Sequence, residues 1–574
     1  MKMDEAAPGF WDGRKFAGRW FGGMRWTGVL LLLAAGLCAS GAPAERPKPP
    51  NILVIMSDEH NASVLRCYGN PIVRTPNLDR LAARGVVFEN CYCNSPLCVP
   101  SRQSFTTGKY ISRIGAWNNH CRAPADSPSL PRVLQAAGYE TFLCGKMHYD
   151  AACRYGFTET GGNMNRSQMT GLGRRRPADE LQSAPGYSDR FQEFRTGEAS
   201  GPMKHDQAVT AGAREFLRQR QPGGKPFFLL VGYLAPHFPL IVPEPYWAQY
   251  RGKVPLPEIP EGFLAGLPLN YQHLRVGFHY ENVPPELVRK GRELYYGLTE
   301  WMDAEVGKVL KALAASAAAS NTVVIYTADH GENMGEHGLW WKNCVYDSAA
   351  RVPLIVSWPE RWPGGQRRAG VCSLVDVVQT IADLGGARTP ADWNGNSLAP
   401  VLANGGAPWK DRAVSEYYAH HVASGYAMIR AGQYKYVYHA APDARHPAQR
   451  ELYDLQVDPG EFRNLALHPE QKARVEQLHA ALVPGEGAVR LARERLRRHR
   501  VRFAVAAQVR QRDGADVGGK GVLRLQAQRL QGVLQRLLRP PAVEQQRRLQ
   551  GEVVGILGIE LQRPVDLLQA VAVA

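Results

Sequence analysis

The chain has 574 residues, of which 44% are hydrophobic and 21% are charged, so it can bury a large core and is neither collagen-like nor wholly disordered. Its formal net charge of +16 would by itself suggest a nucleic acid or another anionic surface as partner. However, residues 486–574 carry 17 basic and 8 acidic side chains, so +9 of this charge lies there and the remainder of the chain is only mildly basic.

An apolar run near the N-terminus has the features of an export signal. Residues 29–37 are apolar, Arg25 precedes them, and Ala42-Pro43-Ala44 resembles a cleavage site. We predict a signal peptide at residues 1–44, with Met24 as an alternative start, and an exported protein that is periplasmic or secreted. The run is much shorter than the roughly 20 residues that span a bilayer, so we expect no stable membrane anchor.

Short apolar segments that alternate with helical stretches predict an α/β fold. Strands are expected at residues 51–57, 139–144, 227–233, 322–327 and 352–357. Helices are expected at residues 76–84, 130–137, 285–319 and 375–384. This alternation is typical of a mainly parallel sheet that is covered by helices on both faces. We assign it to a main domain at residues 50–386, with an Arg-, Gly- and Ser-rich surface insertion near the site at residues 161–201.

The pattern changes after Gly385. A connector rich in Pro, Gly and Ala leads to short aromatic segments, which predict strands at residues 414–418, 426–430, 434–438 and 451–455. Such closely spaced strands favour an antiparallel sheet, and residues 469–482 predict a helix packed on it. We therefore predict a smaller α+β subdomain at residues 410–485.

The last segment has an unusual composition. Residues 486–574 contain 16 Arg, one Lys and 11 Gln, but no Ser, Thr, Asn, Tyr, Trp, Met or Cys. One interpretation is a basic helical tail that binds an anionic partner. We favour the other interpretation, a disordered or out-of-frame extension, because natural loops and helix caps need several of the missing residue types. We assign no function to this tail and expect no nucleic-acid partner.

Ionisable residues cluster directly after the predicted strands. Those that follow the first four strands are Asp58, Glu59, Lys146, His148, His237, Asp329 and His330. One such residue would be an ordinary solvated turn residue. In an open α/β sheet, however, ligands bind at the carboxyl ends of the strands, so four clusters that are distant in sequence predict one shared crevice.

Cys98-Val99-Pro100-Ser101-Arg102 predicts the start of a helix. Backbone N–H groups and the helix dipole at such a position lower the cost of negative charge, so a cysteine there could be a thiolate nucleophile. No histidine lies nearby in sequence to activate it, and a merely buried cysteine would not need the Pro-Ser-Arg that follows.

The same segment, extended to Thr107-Gly108, resembles the signature of the type I sulfatases, in which the cysteine is oxidised to Cα-formylglycine. Further family motifs follow in order: Gly145-Lys146-Met147-His148, Pro236-His237-Phe238-Pro239, Asp329-His330-Gly331, Gly338-Leu339-Trp340-Trp341-Lys342 and Leu452-Tyr453-Asp454-Leu455. The resemblance covers residues 50–467 and points to the choline-sulfatase-like branch, which also contains phosphonate monoesterases. It implies an alkaline-phosphatase-like fold, a mixed and mainly parallel sheet sandwiched by helices. It also implies a formylglycine-generating enzyme as maturation partner.

The resemblance implies a divalent metal ion at the strand ends. Its ligands would be Asp58, Glu59, Asp329, His330 and the residue formed from Cys98. Carboxylate oxygens suit Ca²⁺, which we take as the expected metal. An imidazole from His330 is tolerated better by Mn²⁺, so Mn²⁺ and Mg²⁺ remain alternatives. Glu59 could bind the metal directly or only hydrogen-bond to its ligands.

The resemblance also implies roles for the remaining site residues. The formylglycine at position 98 would form a gem-diol, one hydroxyl of which attacks sulfur, after which the second hydroxyl expels sulfate. Arg102 and Lys146 would stabilise the diol, and His148 would act as the base in the elimination of sulfate. His237 would be a leaving-group acid or a sulfate contact, and Lys342 would clamp the sulfate.

Two other functions compete with sulfate monoester hydrolysis. A phosphonate or phosphate ester hydrolase could use the same scaffold, because these tetrahedral anions suit the same metal and cations. A non-catalytic protein that binds sulfated glycans is the second rival, and the intact Cys98 and Lys342 argue against it. The sequence leaves the oligomeric state open.

The sequence does not identify the alcohol. Choline would call for an aromatic or acidic cage around its quaternary ammonium, whereas a sulfated sugar would call for a polar, Arg-rich pocket. The stretch from Trp117 to His120 could line a substrate pocket or form a polar loop. His420 and His421 carry little weight, because paired histidines in such a position are more often solvated than ligating.

Overall fold

A computed structural model of the protein describes residues 48–162, 176–183 and 185–482. The chain divides into two units, Met1–Lys48 and Pro49–Ala574, and the architecture described below belongs to the second. The predicted signal peptide and the tail at residues 486–574 lie outside the described residues, so both stay predictions. None of the described helices has both the length and the apolar character needed to cross a bilayer.

The described residues form three sheets. Their strands are β1 (Asn51–Asp58), β2 (Val86–Tyr92), β3 (Glu140–Gly145), β4 (Thr158–Gly161), β5 (Arg195–Thr196), β6 (Phe227–Pro236), β7 (Ile241–Val242), β8 (Thr322–Ala328), β9 (Arg351–Ser357), β10 (Gln366–Ser373), β11 (Arg412–Tyr417), β12 (Tyr426–Ala431), β13 (Tyr434–His439) and β14 (Gln449–Asp454). The main sheet has the strand order β10-β2-β9-β8-β1-β6-β3-β4. Only β9 runs antiparallel to its neighbours, which confirms the predicted mixed, mainly parallel α/β sheet.

Helices cover this sheet on both faces. Their bounds are α1 (Pro76–Ala83), α2 (Cys98–Thr107), α3 (Ile111–Ile114), α4 (Leu130–Ala136), α5 (Gly201–Arg218), α6 (Glu244–Ala248), α7 (Leu269–Gly277), α8 (Pro285–Ala314), α9 (Asp347–Ala350), α10 (Leu374–Leu384), α11 (Ala399–Ala403) and α12 (Lys472–Leu482). Single turns of 3-10 helix occur at Arg66–Tyr68, Asp189–Glu193, Phe263–Gly266, Glu336–Gly338 and Pro469–Gln471. Helices α1, α5 and α6 pack against α8, whereas α2 and α4 pack against α10.

The central strands are buried on both faces. Every residue of β6 and β8 is buried, and so is β1 from Ile52 onward. A strand between two helical layers can be continuously apolar, which is why its sequence shows no polar alternation. Strand β1 pairs in parallel with β6 on one side and with β8 on the other, so the three strands end at the same edge.

The predicted antiparallel sheet is present as β11-β12-β13-β14. Successive residues of β12 face opposite sides, as the pleat requires. Tyr426 and Met428 belong to the same core as the main sheet, whereas Ala427 and Ile429 pack in a smaller cluster that includes residues of α12. The second sheet is therefore attached to the main core through one face, and the proposed domain boundaries stay a prediction.

The structure corrects two expectations. The long helix α8 ends at Ala314 rather than at residue 319, because the Ser316 hydroxyl accepts the Ala318 N–H at 3.2 Å and forms a turn. The insertion at residues 161–201 is not wholly at the surface, since Phe191 and Phe194 are buried against Trp340.

Candidate active site

The ionisable residues predicted at the strand ends meet at the carboxyl edge of the main sheet, as expected. Asp58 is the last residue of β1, and Asp329 directly follows the neighbouring strand β8. Lys146 follows β3 and His237 follows β6. Because these strands run parallel, residues that are far apart in sequence enter one site.

Cys98 is buried at the start of α2. Its Sγ lies 3.1 Å from Lys342 Nζ, 3.2 Å from His330 Nε2 and 3.6 Å from Asp58 Oδ1. Burial, reinforced by Asp58, raises the pKa of the thiol to about 11, so the unmodified thiol is protonated near neutral pH. The raised pKa argues against a free thiolate nucleophile at position 98. His330 contacts Cys98 although it is far away in sequence.

Arg102 lies one turn further along α2 and joins two of the predicted metal ligands. Its Nε donates to Asp329 Oδ2 at 2.7 Å and its Nη2 donates to Asp58 Oδ2 at 2.9 Å. Its Nη1 donates to the Lys146 carbonyl at 2.6 Å. The side chain is fully buried, so this planar group sets the spacing of the two carboxylates.

Two lysines supply the other positive charges. Lys146 Nζ lies 2.5 Å from Asp58 Oδ2, and Lys342 Nζ lies 3.3 Å from Glu59 Oε1. Burial opposes the charge of Asp58, but the cations Lys146 and Arg102 hold the pKa of this carboxyl well below its usual range. Asp58 is therefore ionised throughout the physiological pH range.

Glu59 is a buried carboxyl group with a strained backbone. Its φ is 64°. Two backbone hydrogen bonds fix this conformation: the Glu59 N–H donates to Asp329 Oδ1 at 3.1 Å, and the Glu59 carbonyl accepts from the Tyr295 hydroxyl at 2.6 Å. Its Oε1 lies 3.3 Å from Lys342 Nζ, and its Oε2 lies 3.2 Å from His237 Nε2. Burial outweighs the attraction of Lys342 and raises the pKa of Glu59 to about 8. Such a carboxyl group is suited to bind a cation.

His330 offers a nitrogen to the same point. Its Nδ1 lies 3.0 Å from the Gly331 carbonyl, to which it donates, so the Nε2 lone pair faces Cys98. Four buried residues each offer one potential ligand atom, and these atoms all lie within 4.8 Å of one another. The residues are Asp58, Cys98, Asp329 and His330. Carboxylate oxygens with one imidazole fit a divalent cation such as Ca²⁺, Mn²⁺ or Mg²⁺.

His237 is held as a neutral imidazole. Its Nδ1 donates to the Phe238 carbonyl at 2.6 Å, and its Nε2 accepts from Lys342 Nζ at 2.8 Å. Burial and the charge of Lys342 keep the pKa of His237 well below its usual range. The role predicted for His237, a leaving-group acid or a sulfate contact, stays a prediction.

A cavity of about 540 Å³ opens over Cys98. The other predicted catalytic residues on its wall are Lys146, His148, His237 and Lys342. His148 is buried, and its backbone adopts a left-handed conformation with φ of 58°. Arg102 does not line the cavity but lies behind it, against the carboxylates.

Several residues of the cavity wall lie outside the predicted family motifs. Asn119, which the sequence placed in either a pocket or a polar loop, lines the cavity and accepts the Val99 N–H at 3.1 Å. His420 also lines the cavity, contrary to the low weight given to it. Arg190 and His205 carry no local sequence signal and enter the wall through tertiary packing.

This chain is similar to known sulfatases. Residues 50–387 match the family model described as Sulfatase, and residues 335–486 match the model of the C-terminal region of N-sulphoglucosamine sulphohydrolase. Choline-sulfatase of Rhizobium meliloti is 29% identical over 448 residues, which cover 73% of this chain and 83% of the relative. N-acetylglucosamine-6-O-sulfatase of Bacteroides thetaiotaomicron is 28% identical over 517 residues, which cover 79% of this chain and 89% of the relative.

A solved structure supports the fold. The phosphonate monoester hydrolase of Agrobacterium radiobacter matches with a TM-score of 0.62 and 23% identity, over 76% of this chain and 95% of that protein. This confirms the alkaline-phosphatase-like architecture that the resemblance implied. The family model covers more than half of the chain, and the residues of the predicted motifs surround one cavity. The chain therefore belongs to the sulfatase family and is a sulfuric ester hydrolase.

Proposed function

We propose that the chain hydrolyses a sulfate monoester to an alcohol and inorganic sulfate, using Cys98 oxidised to Cα-formylglycine together with a divalent cation. The observation that carries this proposal is the position of Cys98, at the start of α2 and at the wall of the cavity, within 3.1 Å of Lys342. Hydrolysis of a stable anion needs a positioned nucleophile and cations close to the reacting atom.

Position 98 needs the modification because its protonated thiol is a poor nucleophile. The hydrated aldehyde of formylglycine supplies a hydroxyl nucleophile instead. Lys342 and His330 contact the side chain at this position, so we expect them to orient it. Lys146 and the N-terminus of α2 lower the cost of negative charge on the sulfate oxygens.

A divalent cation would be held by Asp58, Asp329, His330 and Glu59. When bound, it supplies Lewis-acid polarisation of the sulfate. Arg102 keeps Asp58 and Asp329 at a fixed spacing through its two charge-assisted hydrogen bonds. We propose Ca²⁺ as the metal, because most of these ligands are carboxylate oxygens, with Mn²⁺ and Mg²⁺ as alternatives.

Proton transfer would use the side chains on the cavity wall. His148 is the proposed base for the elimination of sulfate. His237 would contact the leaving alcohol or the sulfate, and Lys342, whose Nζ lies 2.8 Å from His237 Nε2, would clamp the sulfate.

The substrate class follows from the relatives. One is named as a choline-sulfatase and another as an N-acetylglucosamine-6-O-sulfatase, so we propose a small-molecule or glycan sulfate ester. We also propose that the enzyme acts after export, on the basis of the apolar run at residues 29–37, and that a formylglycine-generating enzyme matures it.

The experiment is a comparison of esters with protein produced together with a formylglycine-generating enzyme. Release of inorganic sulfate is measured from 4-nitrophenyl sulfate, choline sulfate and sulfated sugars, and release of alcohol from phenylphosphonate esters, before and after chelation. We expect kcat/KM to be higher for a sulfate ester than for any phosphonate ester, and chelation to lower it. Preference for phosphonates would support the rival hydrolase, and inertness toward every ester would contradict the proposal.

A further inference from the structure

The outer wall of the cavity is basic beyond the residues that surround Cys98. Arg190, His205 and His420 contribute to it, together with the first turn of α5. Of the residues that the structure describes, no Asp or Glu lines this cavity. The wall therefore presents positive charge and polar nitrogen atoms to whatever is attached to the sulfate group.

Arg190 lies across two aromatic rings next to the reacting centre. Its guanidinium carbon is 4.5 Å from the centre of the Phe238 ring and 4.9 Å from that of Trp341. These rings directly follow His237 and directly precede Lys342 in sequence. The guanidinium lies over both rings, and no described residue forms an ion pair or hydrogen bond with its N–H groups.

The turn that carries Arg190 is fixed by its neighbour. Phe191 is 1% exposed, and its ring centre lies 5.0 Å from that of Trp340 and 5.4 Å from that of Trp341. Burial of an aromatic ring in such a cluster leaves the adjacent backbone little freedom. Arg190 is therefore held at the mouth of the cavity although its own side chain is exposed.

His205 is oriented from behind by a buried carboxylate. Its Nδ1 lies 2.9 Å from Asp206 Oδ1, and Asp206 accepts the N–H groups of Leu234 at 2.8 Å and Ala235 at 2.7 Å. This arrangement leaves the buried Nε2 of His205 without a hydrogen-bond partner among the described residues. His205 lies on the second turn of α5, whose N-terminal residues Gly201 and Pro202 also line the cavity. The N-terminus of this 18-residue helix adds positive potential.

We propose that Arg190 and His205, beside the N-terminus of α5, form a subsite for a second anionic group, a sulfate or a carboxylate, on the alcohol part of the substrate. This inference rests on the proposed function, because it assumes that the first sulfate lies near Cys98. A guanidinium edge binds such anions, and His205 lines the same cavity. The same geometry disfavours choline, because Arg190 already covers the aromatic faces that a quaternary ammonium needs.

The test uses the mature metal-bound enzyme with 4-nitrophenyl sulfate as reporter substrate. Competitors are N-acetylglucosamine 6-sulfate with one anion, glucosamine 2-N,6-O-disulfate with two sulfates, a monosulfated uronate disaccharide with a sulfate and a carboxylate, and choline sulfate. We expect at least one two-anion sugar to inhibit about 10-fold more strongly than N-acetylglucosamine 6-sulfate, with choline sulfate weakest. The stronger of the two-anion sugars identifies the second group as sulfate or carboxylate.

Variants assign this selectivity to the subsite. Arg190→Gln should reduce the ratio between two-anion and one-anion inhibition by about 10-fold, with Arg190→Lys in between. Arg474→Gln is the matched control, since Arg474 also lies over an aromatic ring, 3.7 Å from the centre of Tyr434, but does not line the cavity. It should leave the ratio unchanged.

Two results would overturn the subsite: equal inhibition by one-anion and two-anion sugars in the wild type, or an unchanged ratio between two-anion and one-anion inhibition in Arg190→Gln. In either case, hydrolysis of the reporter would still support the proposed function. An enzyme that hydrolyses no sulfate ester at all would instead contradict the proposed function.

Discussion

Buried charges of opposite sign surround Cys98. The buried carboxyl groups near it include Asp58, Glu59 and Asp329, and the buried cations include Arg102, Lys146 and Lys342. Buried ions are costly unless they are paired, and Asp58 has the closest cationic partners. Glu59 lies 3.3 Å from Lys342 Nζ, and its pKa, raised to about 8, distinguishes it from Asp58, whose pKa is lowered.

Metal affinity should depend on pH through Glu59. The pKa of this carboxyl is about 8 without a metal, so a proton must leave before the carboxylate can bind a cation. We expect the affinity for Ca²⁺ or Mn²⁺ to rise about 20-fold between about pH 6.5 and about pH 8.5 and to level off above that. Calorimetric titration at several pH values measures this change.

Two variants identify the group responsible. Glu59→Gln should lower the affinity and flatten its pH dependence. Glu416→Gln is the matched control, because burial also raises the pKa of Glu416, to about 7, but its carboxylate accepts the Ser112 N–H away from the cluster. An unchanged pH profile in Glu59→Gln would show that Glu59 is not a ligand.

Arg102 should contribute more to stability than other buried arginines. Arg102→Met would leave Asp58 and Asp329 as facing buried carboxylates, so we expect the free energy of unfolding without metal to fall by about 3–5 kcal/mol. Urea denaturation measures the loss, and saturating Ca²⁺ should recover part of it. Arg292→Met is the comparison and should cost less, since Arg292 forms its ion pair with the partly exposed Glu336 and donates to the Met334 carbonyl. An equal loss in both variants would contradict this role of Arg102.

At the scale of elements, the site depends on the close approach of β3 and β6. A Cβ added to Gly232 on β6 would lie 2.1 Å from the Lys146 carbonyl oxygen, and one added to Gly145 would lie 2.3 Å from the Gly232 carbonyl oxygen. The Lys146 carbonyl in turn accepts from Arg102. Glycine at these positions therefore allows the Lys146 side chain to reach Asp58 while the Lys146 carbonyl accepts a hydrogen bond from Arg102.

Gly232→Ala should reduce activity by displacing Lys146. A shift of about 1 Å in a positioned group can cost about 100-fold, so we expect kcat/KM to fall at least about 10-fold. The control is Gly266→Ala, where an added Cβ meets no atom within 4 Å. Steady-state kinetics on the preferred sulfate ester, with circular dichroism to check folding, measures the effect. Wild-type kcat/KM in Gly232→Ala would show that the strands adjust without moving Lys146.

The elements that the sequence predicted are those whose burial leaves a local pattern. Strands β6 and β8 are covered on both faces, so each is continuously apolar and easily found. Strand β10 lies at the sheet edge, is exposed at alternate residues in its first half and was not predicted. The residues that follow the central strands could therefore be assigned to one site from sequence alone.

The rest of the site depends on contacts between distant parts of the chain. Arg190 reaches the cavity because Phe191 packs against Trp340, and His205 is oriented because Asp206 binds the backbone at Leu234. No local periodicity encodes such contacts. Motif reasoning therefore found the reacting centre but not the wall that receives the alcohol.

At the scale of the whole molecule, the two larger sheets share one core. Residues of β11 to β14 pack with the main sheet, and Lys435 on β13 is fully buried, where it pairs with Asp347 at 2.5 Å and Glu461 at 2.6 Å. Because buried ion pairs and shared apolar packing both resist separation, we expect residues 49–482 to unfold in one transition.

A chain that ends at Gly485 should keep its melting temperature, metal dependence and kcat. The described fold closes with α12, whose Leu478 and Leu482 are already buried in the small cluster. Removal of residues 486–574 also removes +9 of net charge, which should weaken salt-sensitive binding to nucleic acids. Calorimetry and kinetics on the shortened chain check this. A drop of several degrees would favour docking of an amphipathic helix at residues 522–538 on the smaller sheet.

The oxidation state of position 98 tests the central claim most directly. Mass spectrometry of the peptide that contains Cys98 should show a loss of about 18 Da relative to cysteine when a formylglycine-generating enzyme is present. The rate of sulfate release should scale with the fraction of modified peptide, and Cys98→Ala should fold but release no sulfate. Full sulfate release by protein whose Cys98 is unmodified, or by Cys98→Ala, would contradict the account.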